Sequence, residues 1–248
     1  MKLIWSIAVK IAFFVLLCYC GIRVIFDSSH WIWAVIAGMI MFVSCPLSAV
    51  LHELGHMLFG AAVKIKAVPG KNFLKNTIIN WWDSSSVKIV PKTENGLRTR
   101  IIITALGGLV VNAIFVVLGI IALCVPTVPI VLCALLPASF NLLALNALPL
   151  SYESGKSDGE VIKELIKDGD EAKVMLAVLK IQAQVLGGKP IEEADEEILF
   201  NLPQIREDDE SFISLCELRA EYFTAKGDTE NAEKWRTRFE DLKNEYLQ

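Results

Sequence analysis

Charged side chains are scarce over the first two thirds of this 248-residue chain, and histidine is scarcer still, with three in all. Cysteine is present without a pattern: Cys18, Cys20, Cys45, Cys124 and Cys133 fall in long apolar runs, Cys216 stands alone near the end, and no C-x-x-C spacing occurs. That argues against a disulfide framework or a cysteine metal site and leaves the thiols as small apolar side chains. No small-residue cleavage site follows the first apolar run, which is also too long for a signal peptide. Inverted repeats and multiple charges inside the apolar segments, the marks of alternating-access transport, are missing. No extramembrane segment ahead of the tail is large enough for a PDZ-like module.

What is present is apolar. Hydrophobic residues make up 54% of the chain and the mean hydropathy is +0.48, values of a polytopic membrane protein rather than a water-soluble domain. Residues 1–158 carry 12 basic and 6 acidic side chains, net +6, whereas residues 159–248 carry 12 and 22, net −10, which together give the overall −4. The division predicts a membrane domain over residues 1–158 and an acidic, water-soluble helical domain over residues 159–248. The basic half suits lipid headgroups, and the acidic half argues against nucleic acid as a partner.

A helix needs about 20 mainly apolar residues to cross a bilayer. Four stretches qualify: residues 3–26, 31–63, 101–124 and 127–150. Pro46 is expected either to kink the second or to divide it, and a two-residue turn at Val125 and Pro126 is expected to join the third and fourth. The loop at residues 64–100 holds Lys64, Lys66, Lys71, Lys75, Lys88, Lys92, Arg98 and Arg100. The positive-inside rule therefore places this loop, and with it both termini, in the cytoplasm. Within it, "NTIINWW" and "SSVKIV" read as strands of a small β-hairpin, bounded by turn signals at Pro69-Gly70 and Asn95-Gly96. The fold class expected is mainly α: about four transmembrane helices, a small cytoplasmic hairpin loop and a C-terminal soluble helical domain.

The stretch "AVLHELGHMLFG" sits inside the second span, where an ionisable side chain costs on the order of 3 kcal/mol even on lenient insertion scales. His52 and His56, four residues apart, project from one helix face and can share a metal ion, while Glu53 stands beside them as a proton acceptor for water. Zinc suits such a set, since a catalytic zinc site takes three protein ligands and keeps one position open. The third ligand should lie at the same depth, where the fourth span ends in "NALPLSYESGKSDGEVI". Asp158 is the leading candidate and Glu153 the rival; a plain turn and helix cap at Ser157-Asp158-Gly159 is the bland alternative.

These residues resemble the site-2 protease family of intramembrane zinc metalloproteases. The helix motif is His52, Glu53 and His56; a small-residue helix matches at Ala105, Gly107, Gly108 and Asn112 in "TALGGLVVNAI"; and an Asn-Pro element leading to Asp-Gly matches at Asn146, Pro149, Asp158 and Gly159. Two departures stand out: Gly108 replaces the usual proline, and Asn141 offers an alternative alignment for the Asn-Pro element. The resemblance implies that His52, His56 and Asp158 bind zinc and that Glu53 activates water. It also implies that Asn112 or Asn146 stabilises the developing oxyanion or positions the substrate backbone.

The implied activity is hydrolysis of a membrane-embedded or membrane-associated protein or peptide near the cytoplasmic face of the cell membrane. The alternative is a non-proteolytic metal-binding membrane protein, of immunity or scaffold type, that retains the fold; an intact Glu53 favours the enzyme, because metal storage needs no general base. The tail reads as the amphipathic helices "GEVIKELIKDG", "DEAKVMLAVLKIQAQVLGG" and "PIEEADEEIL" and a closing helical hairpin, a generic bundle suited to a protein partner or self-association. Ala220, Phe223, Gly227 and Ala232 resemble a single tetratricopeptide unit, too few for an array.

Overall fold

The computed structural model describes residues 2–27, 31–68, 88–152 and 155–246. The chain is mainly helical and divides into two compact units, one made of Met1–Ala62, Ala67–Lys88 and Ile103–Val161, the other of Val63–Lys66, Ile89–Ile102 and Ile162–Gln248.

The first unit holds α1 (Lys2–Asp27), α2 (Trp31–Ala62), most of α3 (Leu97–Cys124), a 3-10 turn at Ile130–Leu135 and α4 (Leu136–Ala147). Four helical segments here are long and apolar enough to cross a membrane: Ile4–Phe26, Gly38–Ala62, Leu97–Cys124 and Ile130–Ala147. A helix meets its backbone hydrogen-bonding needs internally, as hydrocarbon demands. α1 packs on α2 and α4. The seams mix small side chains with larger apolar ones: Cys20, Ala122, Cys133 and Ala134 with Val24, Met41 and Leu136 in one cluster, Cys45 and Ala138 with Phe13 in another. Small residues let helix backbones approach where lipid gives no hydrophobic drive for association. The outer faces leave Ile11, Phe14, Ile22, Phe42 and Leu58 exposed, side chains suited to contact with lipid tails. Buried between α2 and α4, the Ser48 and Ser139 hydroxyls share a hydrogen bond of 3.1 Å.

Two local expectations change. α2 runs unbroken through Pro46, so the proline does not divide it. The turn between the third and fourth spans is longer than two residues: α3 stops at Cys124 and the chain does not re-enter a helix until Ile130. Pro126 and Pro129 account for this, since each lacks an N–H and restricts the residue before it to extended conformations.

β1 (Ile65–Val68) follows α2 and pairs with β2 (Lys88–Pro91). β2 falls in the expected "SSVKIV" segment, and the other expected strand, "NTIINWW", lies outside the described residues. At the exit from α2, Lys64 adopts a left-handed conformation with φ of 60°. Arg100 braces this corner, donating to the carbonyls of Val63 at 2.5 Å and Lys64 at 2.5 Å, and to the Thr93 carbonyl and hydroxyl at 2.9 and 2.7 Å.

Beyond α4, β3 (Ser151–Tyr152) pairs antiparallel with β4 (Gly155–Lys156) and leads into α5 (Asp158–Lys167). The tail continues as α6 (Asp170–Leu186), α7 (Glu196–Phe200), α8 (Glu210–Lys226) and α9 (Thr229–Tyr246). Its core gathers Val174, Val178, Ile181, Leu199, Leu215, Leu218 and Tyr222. The "PIEEADEEIL" segment is split into a 3-10 turn and α7, because Asp195 turns back to accept the Glu197 N–H at 3.0 Å and caps a new helix. Arg219 is buried, its Nε donating to the Leu199 carbonyl at 2.8 Å and its guanidinium lying 4.5 Å from the Trp235 ring centroid. Burial holds its pKa below the usual arginine value.

Candidate metal centre

Three helices meet at the centre. α2 supplies His52, Glu53 and His56, which are 2%, 3% and 6% exposed. One helical turn separates the two histidines, so their rings project from the same face and meet edge to face with centroids 4.7 Å apart. α3 faces them with Thr104, Gly108 and Asn112, spaced by four and therefore in one stripe. α5 supplies Asp158 from its first turn.

Close approach of α2 and α3 rests on glycine. A Cβ on Gly55 would stand 2.5 Å from the Gly107 carbonyl oxygen, so these backbones touch. A Cβ on Gly108 would stand 2.5 Å from His52 Cε1 and 2.6 Å from His56 Nε2, so the second glycine of the pair makes room for both imidazoles. In this chain the Gly-Gly pair thus has a divided task, one glycine for the helix contact and the other for the rings.

The donor atoms converge. His52 Nε2 lies 3.1 Å from His56 Nε2 and 3.4 Å from Asp158 Oδ2, and His56 Nε2 lies 3.4 Å from Asp158 Oδ1. A tetrahedral ion with bonds of about 2.0–2.2 Å places its ligand atoms roughly 3.3 Å apart, so three donors at these separations could hold one ion without rearrangement. Asp158 Oδ2 is buried and accepts no hydrogen bond, which leaves its lone pairs for a cation. Nδ1 of His56 lies 2.9 Å from the Thr104 carbonyl, to which only an Nδ1–H can donate; Nε2 is then the lone-pair nitrogen, as a ligand requires. The buried His52, His56 and Asp158 group could therefore bind a metal ion.

Asp158 is placed by its neighbour. Ser157 caps α5: its hydroxyl accepts the N–H groups of Leu150 at 3.0 Å and Glu160 at 3.2 Å and donates to the Leu148 carbonyl at 2.6 Å. Asp158 is thus the first residue inside the helix rather than its cap, where the positive end of the helix dipole favours a carboxylate. Gly159 is needed for the same junction, since a Cβ there would run into the Ala147 carbonyl oxygen.

Of the residues singled out in the sequence, the structure brings together His52, His56, Asp158 and Asn112, with Glu53 adjoining on α2. Asn112 is fully buried, its Nδ2 lying 2.9 Å from His52 Nδ1. Asn146 is buried on α4 and donates from Nδ2 to the Leu142 carbonyl one turn back, at 3.1 Å. Glu153 lies outside the described residues. One participant escaped the sequence reading: Thr104 acts through a backbone carbonyl, which no side-chain pattern reveals. Ser157 did not, since a turn and helix cap was expected at Ser157-Asp158-Gly159 and the Ser157 hydroxyl caps α5 with the capping-box spacing to Glu160 in "SDGE".

Comparison of the chain with protein-family models, curated proteins and solved structures finds no match.

Proposed function

We propose that the chain is an intramembrane zinc metalloprotease of the site-2 protease type, cutting a membrane-embedded or membrane-associated protein or peptide near the cytoplasmic face. The observation that carries this reading is the convergence of His52, His56 and Asp158 to within 3.1–3.4 Å of one another beside the buried Glu53. Nitrogen and carboxylate donors in a set of three suit zinc, which when bound supplies a Lewis acid for the peptide carbonyl and makes water a better nucleophile near neutral pH.

The chain's own residues do the rest. Glu53 takes the proton of the attacking water and returns it to the leaving amine, so one carboxylate serves as base and then acid. Thr104 holds His56 in its ligating tautomer, and Ser157 holds Asp158 at the site. A substrate helix hides its peptide bonds in its own hydrogen bonds and must unwind locally; an edge of the β1–β2 pair is suited to receive the extended segment as an added strand. The basic residues of the 64–100 loop favour a cytoplasmic placement for that loop and for both termini.

The deciding experiment separates metal from proton transfer. The purified protein is expected to hold about one zinc per chain. Glu53→Gln should keep the zinc and lose proteolysis, seen as a membrane peptide that accumulates uncut when host membranes carrying wild type and variant are compared by proteomics. Asp158→Ala should lose both zinc and cleavage. Zinc at full stoichiometry with no peptide distinguishing the Glu53 variant would favour the non-proteolytic, metal-binding alternative.

A further inference from the structure

We propose that Asn112 is a positioning residue for the metal ligand His52, presenting an amide oxygen to Nδ1 so that Nε2 is left as the ligating lone pair. This rests on the metal-site reading above and goes beyond it, because the resemblance implied a role for Asn112 toward the substrate or its oxyanion.

The argument starts from hydrogen-bond accounting. An imidazole that ligates through Nε2 carries its proton on Nδ1 and needs an acceptor there. His56 has one in the Thr104 carbonyl, 2.9 Å away. The His52 ring has the Gly108 backbone and Asn112, whose amide Nδ2 lies 2.9 Å from Nδ1 across 60 residues of sequence. Asn112 is fully buried, and its Oδ1 is buried with no hydrogen-bond partner. An unpartnered buried amide oxygen is costly, so one beside a ring nitrogen calls for a reason.

The two ends of an amide have nearly the same shape, and a half-turn about the Cβ–Cγ bond's far end exchanges acceptor for donor. With Nδ2 toward the ring, the His52 proton belongs on Nε2, where it points at His56 Nε2, 3.1 Å away. With Oδ1 toward the ring, the proton belongs on Nδ1, and both Nε2 lone pairs face the Asp158 carboxylate. The second arrangement lets both histidines ligate without setting an Asn112 N–H against a ring N–H. It also gives Oδ1 its partner. Asn112 thus adds a side-chain acceptor at His52, while the four-residue spacing of Thr104 and Gly108 on α3 mirrors that of His56 and His52 on α2 and gives each ring a backbone partner.

The test is zinc competition against a chromophoric chelator on the full-length protein in detergent, comparing wild type with Asn112→Leu and Asn112→Asp. Leucine keeps the volume and removes the acceptor; it should weaken zinc by about 10–100-fold, the usual cost of removing a partner that orients a ligand. Aspartate offers only acceptors and should hold zinc at least as tightly as wild type. Wild-type affinity in the leucine variant would overturn the inference and return Asn112 to the substrate. Weak zinc in both variants would overturn it as well, since the acceptor would not be what matters. Should Asn112→Leu fail to fold, as judged by size-exclusion chromatography, the aspartate variant alone decides. A wild-type protein that takes up no zinc would instead sink the metal-site reading itself, a different outcome from any of these.

Discussion

At the scale of single residues the site is governed by what surrounds each donor. Ser157 shows this best. Its hydroxyl is fully committed, accepting from Leu150 and Glu160 and donating to Leu148, and it binds the end of α4 to the start of α5 around Asp158. Replacing it with alanine removes these three bonds and the helix cap, leaving the backbone bonds Leu150 N–H to Leu148 and Glu160 N–H to residue 157, so Ser157→Ala should cost about 0.5–2 kcal/mol of stability. Zinc affinity should fall with it although no ligand has been touched. Thermal unfolding and chelator competition on the same preparation check both, and unchanged zinc affinity would show that Asp158 finds its place without the cap. The candidate ligands on α2 stood out in sequence because histidine and glutamate are expensive in a membrane helix and therefore conspicuous. The partners were less so: a backbone carbonyl such as that of Thr104 has no signature, and the role of Asn112 depended on which helix α3 would face.

At the scale of elements, periodicity and length made the spans and tail helices readable, while their ends were set by local chemistry that hydropathy does not register. The 3-10 turn at Ile130–Leu135 and the proline-bounded turn before it are one case. The exit from α2 is another. Lys64 takes the left-handed conformation usually left to glycine, and the carbonyl there is held by Arg100. A left-handed side-chain residue costs roughly 1–2 kcal/mol, so Lys64→Gly should raise stability by up to about that much while leaving metal content alone. The comparison is the unfolding midpoint of the two proteins in detergent. A drop would mean that the lysine side chain contributes more than its backbone costs. In the tail, α8 ends at Gly227 with φ of 77°, and the N–H of Asp228 reaches the Phe223 carbonyl at 3.0 Å, the glycine-terminated helix end that sequence reads well.

At the scale of the whole molecule, charge is unevenly divided along the chain, with a basic loop at residues 64–100 and an acidic tail at residues 159–248. Part of the loop's charge is engaged: Arg100 holds backbone carbonyls, and Arg98 pairs with Asp168. Lys66 and Lys92 are exposed. Single cysteines placed at Lys92 and Glu240, in a chain stripped of its native cysteines, should both be modified by a membrane-impermeant maleimide in inverted vesicles and not in intact cells. Labelling of the two positions from opposite sides would refute the arrangement with both termini in the cytoplasm.

The wide separation of the ligands along the chain has a consequence in time. His52 and His56 belong to the second apolar helix, and Asp158 is made about a hundred residues later, roughly 5–20 s at ordinary rates of synthesis. Until then the growing chain presents two imidazoles and a glutamate without the carboxylate that completes the set. On the proposed function, a nascent copy is thereby harmless to the other chains passing through the insertion machinery, and it would gain its reactivity only once Asp158 has joined the two histidines.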